Sequence, residues 1–71
     1  MNVKILGKDN CPQCTVVKKI LTGKGIDYEY IDTGLSENRR YLDEAIAYGI
    51  RSLPVIIVDG EYKGIDWVKS L

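Results

Sequence analysis

Within a chain of 71 residues, the side chains best suited to covalent chemistry are two cysteines in the stretch Asn10-Cys11-Pro12-Gln13-Cys14. Thiols three positions apart at the opening of a helix lie on one face, one turn apart, within bonding reach of each other. The pair reads as a reversible dithiol. The competing reading is half of a zinc or iron–sulfur site, but such sites normally take four ligands. The sequence has no histidine and no third cysteine. A metal would require a second copy of the chain or an added thiol, so no metal ligand is assigned.

The flanking residues divide the labour between the thiols. Val3, Ile5 and Leu6 form a β-type run over residues 2–6, Gly7-Lys8-Asp9-Asn10 has loop chemistry, and Val16, Val17, Ile20 and Leu21 carry helical spacing over residues 12–22. Pro12 fits the first helical turn, where its fixed φ and missing N–H do no harm. Cys11 therefore falls at the helix N-terminus. Free N–H groups and the positive end of the helix dipole favour a thiolate there, against a reference thiol pKa of about 8.5. Cys11 is the expected nucleophile. Cys14, one turn further in and beside apolar positions, is expected to be less accessible and to resolve a mixed disulfide.

Length and charge bound the rest. A chain this small buries only about 60% of its extended surface, enough for one α/β domain over residues 1–71. Ten basic and ten acidic residues cancel, with no block of one sign, so neither nucleic acid nor an anionic membrane is an expected partner. No apolar run reaches the roughly 20 residues that span a bilayer, and Met1-Asn2-Val3-Lys4 leads into a strand rather than a signal peptide. A cytoplasmic monomer is expected. In a reducing compartment two cysteines point to catalysis or metal binding rather than a structural staple.

Beyond the first helix, Thr22-Gly23-Lys24-Gly25 offers a glycine for a left-handed cap. Tyr28-Glu29-Tyr30-Ile31 reads as a second strand, parallel to the first across the helical crossover. Ser36 is the expected N-cap of a second helix, with Leu42, Ala45 and Ile46 on its inner face and its end at Tyr48 or Gly49. Val55-Ile56-Ile57-Val58 is an unbroken apolar run, as in a strand covered on both faces, and Asp59-Gly60 turns it back into Glu61-Tyr62-Lys63. Ile65 to Leu71 leaves about two helical turns. The five tyrosines stand in for the absent phenylalanine as packing residues, with Trp67 at the edge of the core.

With Lys8-x-x-Cys11-Pro12-x-Cys14, then Arg51-Ser52-Leu53-Pro54-Val55, then Gly64-Ile65-Asp66, nearly the whole chain resembles the glutaredoxins of the thioredoxin-like superfamily. The resemblance implies a thioredoxin-like fold: a four-stranded mixed sheet in order 2-1-3-4, its third strand antiparallel to the first, flanked by three helices of which the last is short. It implies a cis bond before Pro54, with the backbone of Leu53 beside the cysteines, where a peptide can add itself as a short strand. Two subfamily patterns overlap. Lys8, Pro12, and Asp66 after Gly64 stand where glutathione-using members hold the ends of glutathione. Gln13 and Gly49-Ile50-Arg51-Ser52-Leu53-Pro54-Val55 are similar to the NrdH-type redoxins, which serve ribonucleotide reductase and are recharged by thioredoxin reductase. The Trp-Ser-Gly-Phe of those redoxins is replaced by Tyr62-Lys63-Gly64-Ile65.

The resemblance thus implies a thiol–disulfide oxidoreductase acting on protein or glutathione mixed disulfides. It has no tightly bound cofactor, takes glutathione as a co-substrate or thioredoxin reductase as reductant, and has ribonucleotide reductase as an acceptor. The alternative it carries is a dimer bridging an iron–sulfur cluster through Cys11 with glutathione as co-ligand. Taken by residue type alone, Lys8 and Arg51 are solvated charges, Asp66 is a helix N-cap, and Pro54 opens an edge strand in the ordinary trans form.

Overall fold

The computed structural model describes residues 2–71; Met1, part of the expected lead-in to the first strand, lies outside the described residues. The elements run β1 (Val3–Gly7), α1 (Pro12–Gly23), β2 (Glu29–Asp32), a 3-10 turn (Ser36–Asn38), α2 (Arg39–Ala47), β3 (Val55–Val58), β4 (Glu61–Lys63) and α3 (Asp66–Lys69). The sheet order is β2-β1-β3-β4, the order the family resemblance implies. β2 runs parallel to β1 with Leu6 opposite Ile31, and β3 runs antiparallel with Leu6 opposite Val55.

Strand periodicity sends alternate side chains to two separate cores. Val3 and Ile5 of β1 and Ile56 and Val58 of β3 meet Val17 and Leu21 of α1 and Val68 of α3 on one face. Leu6, Ile31, Val55 and Ile57 meet Ala45 of α2 on the other. This is why β3 is apolar at every position: all four of its residues are buried, two to each side. At the hairpin, Asp59 and Gly60 take φ of 50° and 86°, the pair of positive values that a two-residue turn needs to match strand twist.

Several boundaries differ from expectation, each for a local reason. β1 starts and ends one residue later than residues 2–6, because Gly7 pairs with Asp32 and its carbonyl accepts both the N–H and the hydroxyl of Thr33, at 2.8 and 2.9 Å. The same pairing moves β2 one residue on, to Glu29–Asp32. Ser36 opens a 3-10 turn instead of capping α2. The residue at the cap is Asn38, whose side chain donates to the Asp32 carbonyl at 2.8 Å and so ties the turn to β2 rather than to the helix. Val16 and Ile46 have helical spacing yet are 50% and 52% exposed; each helix touches the sheet along a narrow stripe, through Val17 and Leu21 or through Ala45. α3 spans four residues rather than two full turns, and the Ser70 hydroxyl, donating to the Trp67 carbonyl at 2.7 Å, competes with its continuation. Tyr28, Tyr30, Tyr41 and Tyr62 do pack against the cores. Tyr48 does not: it is 66% exposed and stacks on Tyr62 with ring centroids 5.1 Å apart.

Tyr62 also donates its hydroxyl to Glu44, joining the edge strand β4 to α2. Burial first, then that hydrogen bond and the negative charge of Glu44, hold its phenol above the ordinary tyrosine range. A phenol whose pKa is raised by folding stabilises the fold fully below its unfolded value, about 10, and loses that contribution as pH rises toward the folded value. Urea denaturation between pH 8 and 11 is expected to show stability falling at the alkaline end, less steeply in Glu44→Gln. A second outcome concerns packing. Leu21 has no exposed surface, so Leu21→Ala is expected to cost about 2 to 5 kcal/mol, a large share of what a domain of this size holds. Leu35→Ala, at a 48% exposed position, is expected to cost far less in the same denaturation assay.

Candidate functional site

The thiol pair sits at the junction of the central strand and the first helix. β1 ends at Gly7, the loop Lys8 to Asn10 crosses the top of the sheet, and Cys11 caps α1 with an extended backbone, φ −111° and ψ 98°. Asn10, at φ 59°, makes the sharp turn that aims Cys11 at the helix axis; asparagine is among the few residues that adopt this conformation readily. Pro12 follows as the first helical residue, as the sequence predicts.

Cys11 and Cys14 are bonded to each other as a disulfide, with Cα atoms 5.3 Å apart. Their surroundings are unequal. Cys11 is half-buried, whereas Cys14 is 1% exposed. The Cys11 sulfur also accepts the backbone N–H of Cys14 at 3.3 Å, one of the N–H groups that a helix N-terminus leaves without an internal partner. Electron density on the Cys11 sulfur is thus met by a donor and by the helix dipole. Among the described residues, no group of three or more histidine, cysteine or acidic side chains could hold a metal ion.

A groove of about 770 Å³ opens beside Cys11, lined by Lys8, Asn10, Pro12 and Gln13 around the cysteine, by Leu42 and Ile46 of α2, and by Ile50, Arg51, Ser52, Leu53 and Val55. The Leu53–Pro54 peptide bond is cis, and Pro54 is buried behind the groove wall. Of the expected site residues, Lys8, Cys11, Pro12, Gln13, Arg51 and Leu53 meet in this groove, with two cations and apolar surface at hand. Gly64 and Asp66 are not among its lining residues. They follow β4, one and three positions past the Ile56–Lys63 pair, and Asp66 begins α3 without capping it. Leu42 and Ile46, expected on the inner face of the second helix, line the groove instead, together with Asn10 and Ile50, for which the sequence suggests no site role.

A second, more polar recess of about 570 Å³ adjoins the cysteines, lined by both of them with Lys8, Asp9, Thr15, Lys18 and Tyr30. Lys18 reaches over the Tyr30 ring, its Nζ 4.1 Å from the centroid. The sequence carried no cue for this recess, because Tyr30 and Lys18 come from a strand and a helix that only the fold brings together.

In the reduced protein, the difference in access and in N–H contacts predicts that brief treatment with iodoacetamide near neutral pH labels Cys11 ahead of Cys14. Peptide mapping by mass spectrometry checks it, and preferential labelling of Cys14 would reverse the assignment.

Residues 3–63 match the family model described as Glutaredoxin. The chain is 31% identical over 67 residues to the N-acetyl-S-hydroxy-L-cysteine reductase of Bacillus subtilis, covering 92% of this chain and 71% of that protein. It is 35% identical over 57 residues to the glutaredoxin-like protein NrdH of Lactococcus lactis, covering 80% of this chain and 76% of that one. Its structure superposes on the NrdH-redoxin from Escherichia coli with a TM-score of 0.80 at 26% identity, over 100% of this chain and 95% of the other. With a disulfide-forming cysteine pair at the head of α1 of a thioredoxin-like fold, the chain belongs to the glutaredoxin family of thiol–disulfide oxidoreductases.

Proposed function

We propose that this protein passes electrons from a flavoprotein disulfide reductase of the thioredoxin reductase kind to a protein disulfide, in the manner of the NrdH-type redoxins, with ribonucleotide reductase as the class of acceptor. The asymmetry of the thiol pair carries the reading: one sulfur at the groove and under the helix N-terminus, the other buried. The Cys11 thiolate attacks one sulfur of the substrate disulfide, whose other sulfur leaves as a thiolate and takes up a proton. Cys14 then loses its proton and attacks the Cys11 sulfur, closing the Cys11–Cys14 bond and releasing the second substrate thiol. Two electrons pass from the dithiol to the substrate.

In this account a substrate segment lies extended along Leu53 and Pro54, bonding to the backbone as an added strand. Leu42, Ile46 and Ile50 take an apolar side chain, and Lys8 and Arg51 meet a carboxylate. Pro12 and Gln13 form the near lip. We take glutathione as the weaker reductant: of the positions where glutaredoxins hold it, Lys8 and Pro12 line the groove, but Gly64 and Asp66 do not.

The Bacillus relative supports a second reading, reduction of a small sulfenic acid. The dithiol would reduce R–SOH to R–SH, with one water released and the Cys11–Cys14 disulfide formed.

NADPH consumption decides among these. With a protein disulfide as acceptor, turnover is expected to be several-fold faster with thioredoxin reductase than with glutathione and glutathione reductase, and to vanish in Cys11→Ser. Faster turnover with glutathione would contradict the proposed reductant. Faster turnover of a small sulfenic acid than of any protein disulfide would favour the second reading.

A further inference from the structure

We infer that Tyr30 is a positioning residue for the resolving sulfur, its hydroxyl donating a hydrogen bond to the Cys14 thiolate of the reduced protein. The inference rests on the division of labour proposed above, with Cys14 as the resolving thiol.

The geometry centres on Gly7. A Cβ placed there would lie 2.9 Å from the Tyr30 hydroxyl oxygen, 2.9 Å from its Cε1 and 3.0 Å from the Cys14 sulfur. The phenol and the buried sulfur therefore converge over the same backbone atom, and a residue without a side chain is what lets them approach. Two features hold the ring there. Tyr30 pairs with Ile5 in the sheet and packs against the core beneath α1, and the Lys18 ammonium lies on its outer face.

Cys14 needs such a donor. To resolve a mixed disulfide it must give up its proton and carry negative charge while 1% exposed. A charge in such a place is unfavourable without a hydrogen bond to it. Its own backbone N–H already points at the Cys11 sulfur. The charged groups near Tyr30 come from three elements: Lys18 from α1, Lys8 and Asp9 from the loop after β1, and Asp32 from the end of β2. Lys18 is engaged with the ring face, and the two carboxylates can only accept. The phenol is the neutral donor in the group. Burial, and then Asp32 and Asp9, push its ionisation above the ordinary tyrosine value, so near neutral pH it keeps its proton and acts as a donor rather than as a base. The Cys14 proton goes to solvent, Cys14 attacks the Cys11 sulfur, and the departing substrate thiolate takes up a proton. Tyr30 neither gains nor loses one.

Reaction of the reduced protein with one equivalent of 5,5′-dithiobis(2-nitrobenzoate) separates the steps. The first coloured thiolate is released when Cys11 attacks, the second when Cys14 resolves. Tyr30→Phe keeps the ring and its contact with Lys18. It is expected to leave the first phase unchanged and to slow the second several-fold near pH 7, moving the pH midpoint of that phase upward by about half a unit or more. A second phase with the wild-type rate and profile would overturn the inference. So would slowing by the same factor at every pH, which is the mark of a packing defect alone. Site-specific 3-fluorotyrosine at position 30, a stronger donor of nearly the same shape, provides the check should Tyr30→Phe unfold: it is expected to move the second-phase midpoint downward, and an unmoved midpoint would overturn the inference. Failure of the underlying division of labour looks different, with the first adduct on Cys14 or no second phase in the wild type.

Discussion

At the end of the central strand there is no room for a side chain. Gly7 is walled in by the Tyr30 ring and the Cys14 sulfur, and its carbonyl is held by both donors of Thr33. This crowding fixes where β1 stops relative to β2 and how closely α1 lies over the sheet. The loop from Lys8 to Asn10 starts from that fixed point, and the positive φ of Asn10 delivers Cys11 to the helix axis. The site is thus positioned by backbone packing at one glycine. Its thiol chemistry follows from where the helix begins.

Once the helix is placed, the inequality of the two sulfurs follows. A residue at the N-cap faces unpartnered N–H groups and stays near the surface, whereas a residue one turn further in is turned toward the core. Cys11 and Cys14 occupy these two situations. The same arrangement explains the two recesses flanking the pair. The groove, on the α2 side, offers apolar surface and two cations to something that must come and go. The smaller recess, on the α1 side, is polar and contains the ring that packs against Gly7. In the proposed account, exchange with a substrate uses the groove and closure of the internal disulfide draws on the recess.

Much of this was legible before any coordinates. Alternation, turn residues and the fully apolar run at Val55–Val58 locate every strand to within a residue, since burial on one face or two leaves a direct trace in side-chain type. Pro12 marks the start of α1, and the cysteine spacing marks the chemistry. Sheet order came from family resemblance instead, because nothing in Val55–Val58 says which neighbour it joins. The misses share a cause. Ser36 has the chemistry of a cap but lost the position to Asn38, whose amide was drawn to the Asp32 carbonyl. Ile46 and Val16 have core spacing on helices that contact the sheet along one narrow line. The meeting of Tyr30, Lys18 and Cys14 depends on three segments far apart in the chain, and no local pattern encodes it.

The central claim is that electrons leave this protein through Cys11. Its most direct test is to mix reduced wild-type protein with a peptide disulfide, quench with acid within milliseconds, and map the trapped adduct by mass spectrometry. The account predicts the peptide on Cys11 at the earliest times, giving way to the Cys11–Cys14 disulfide. A peptide found first on Cys14, or an internal disulfide formed with no adduct at any time, would contradict it.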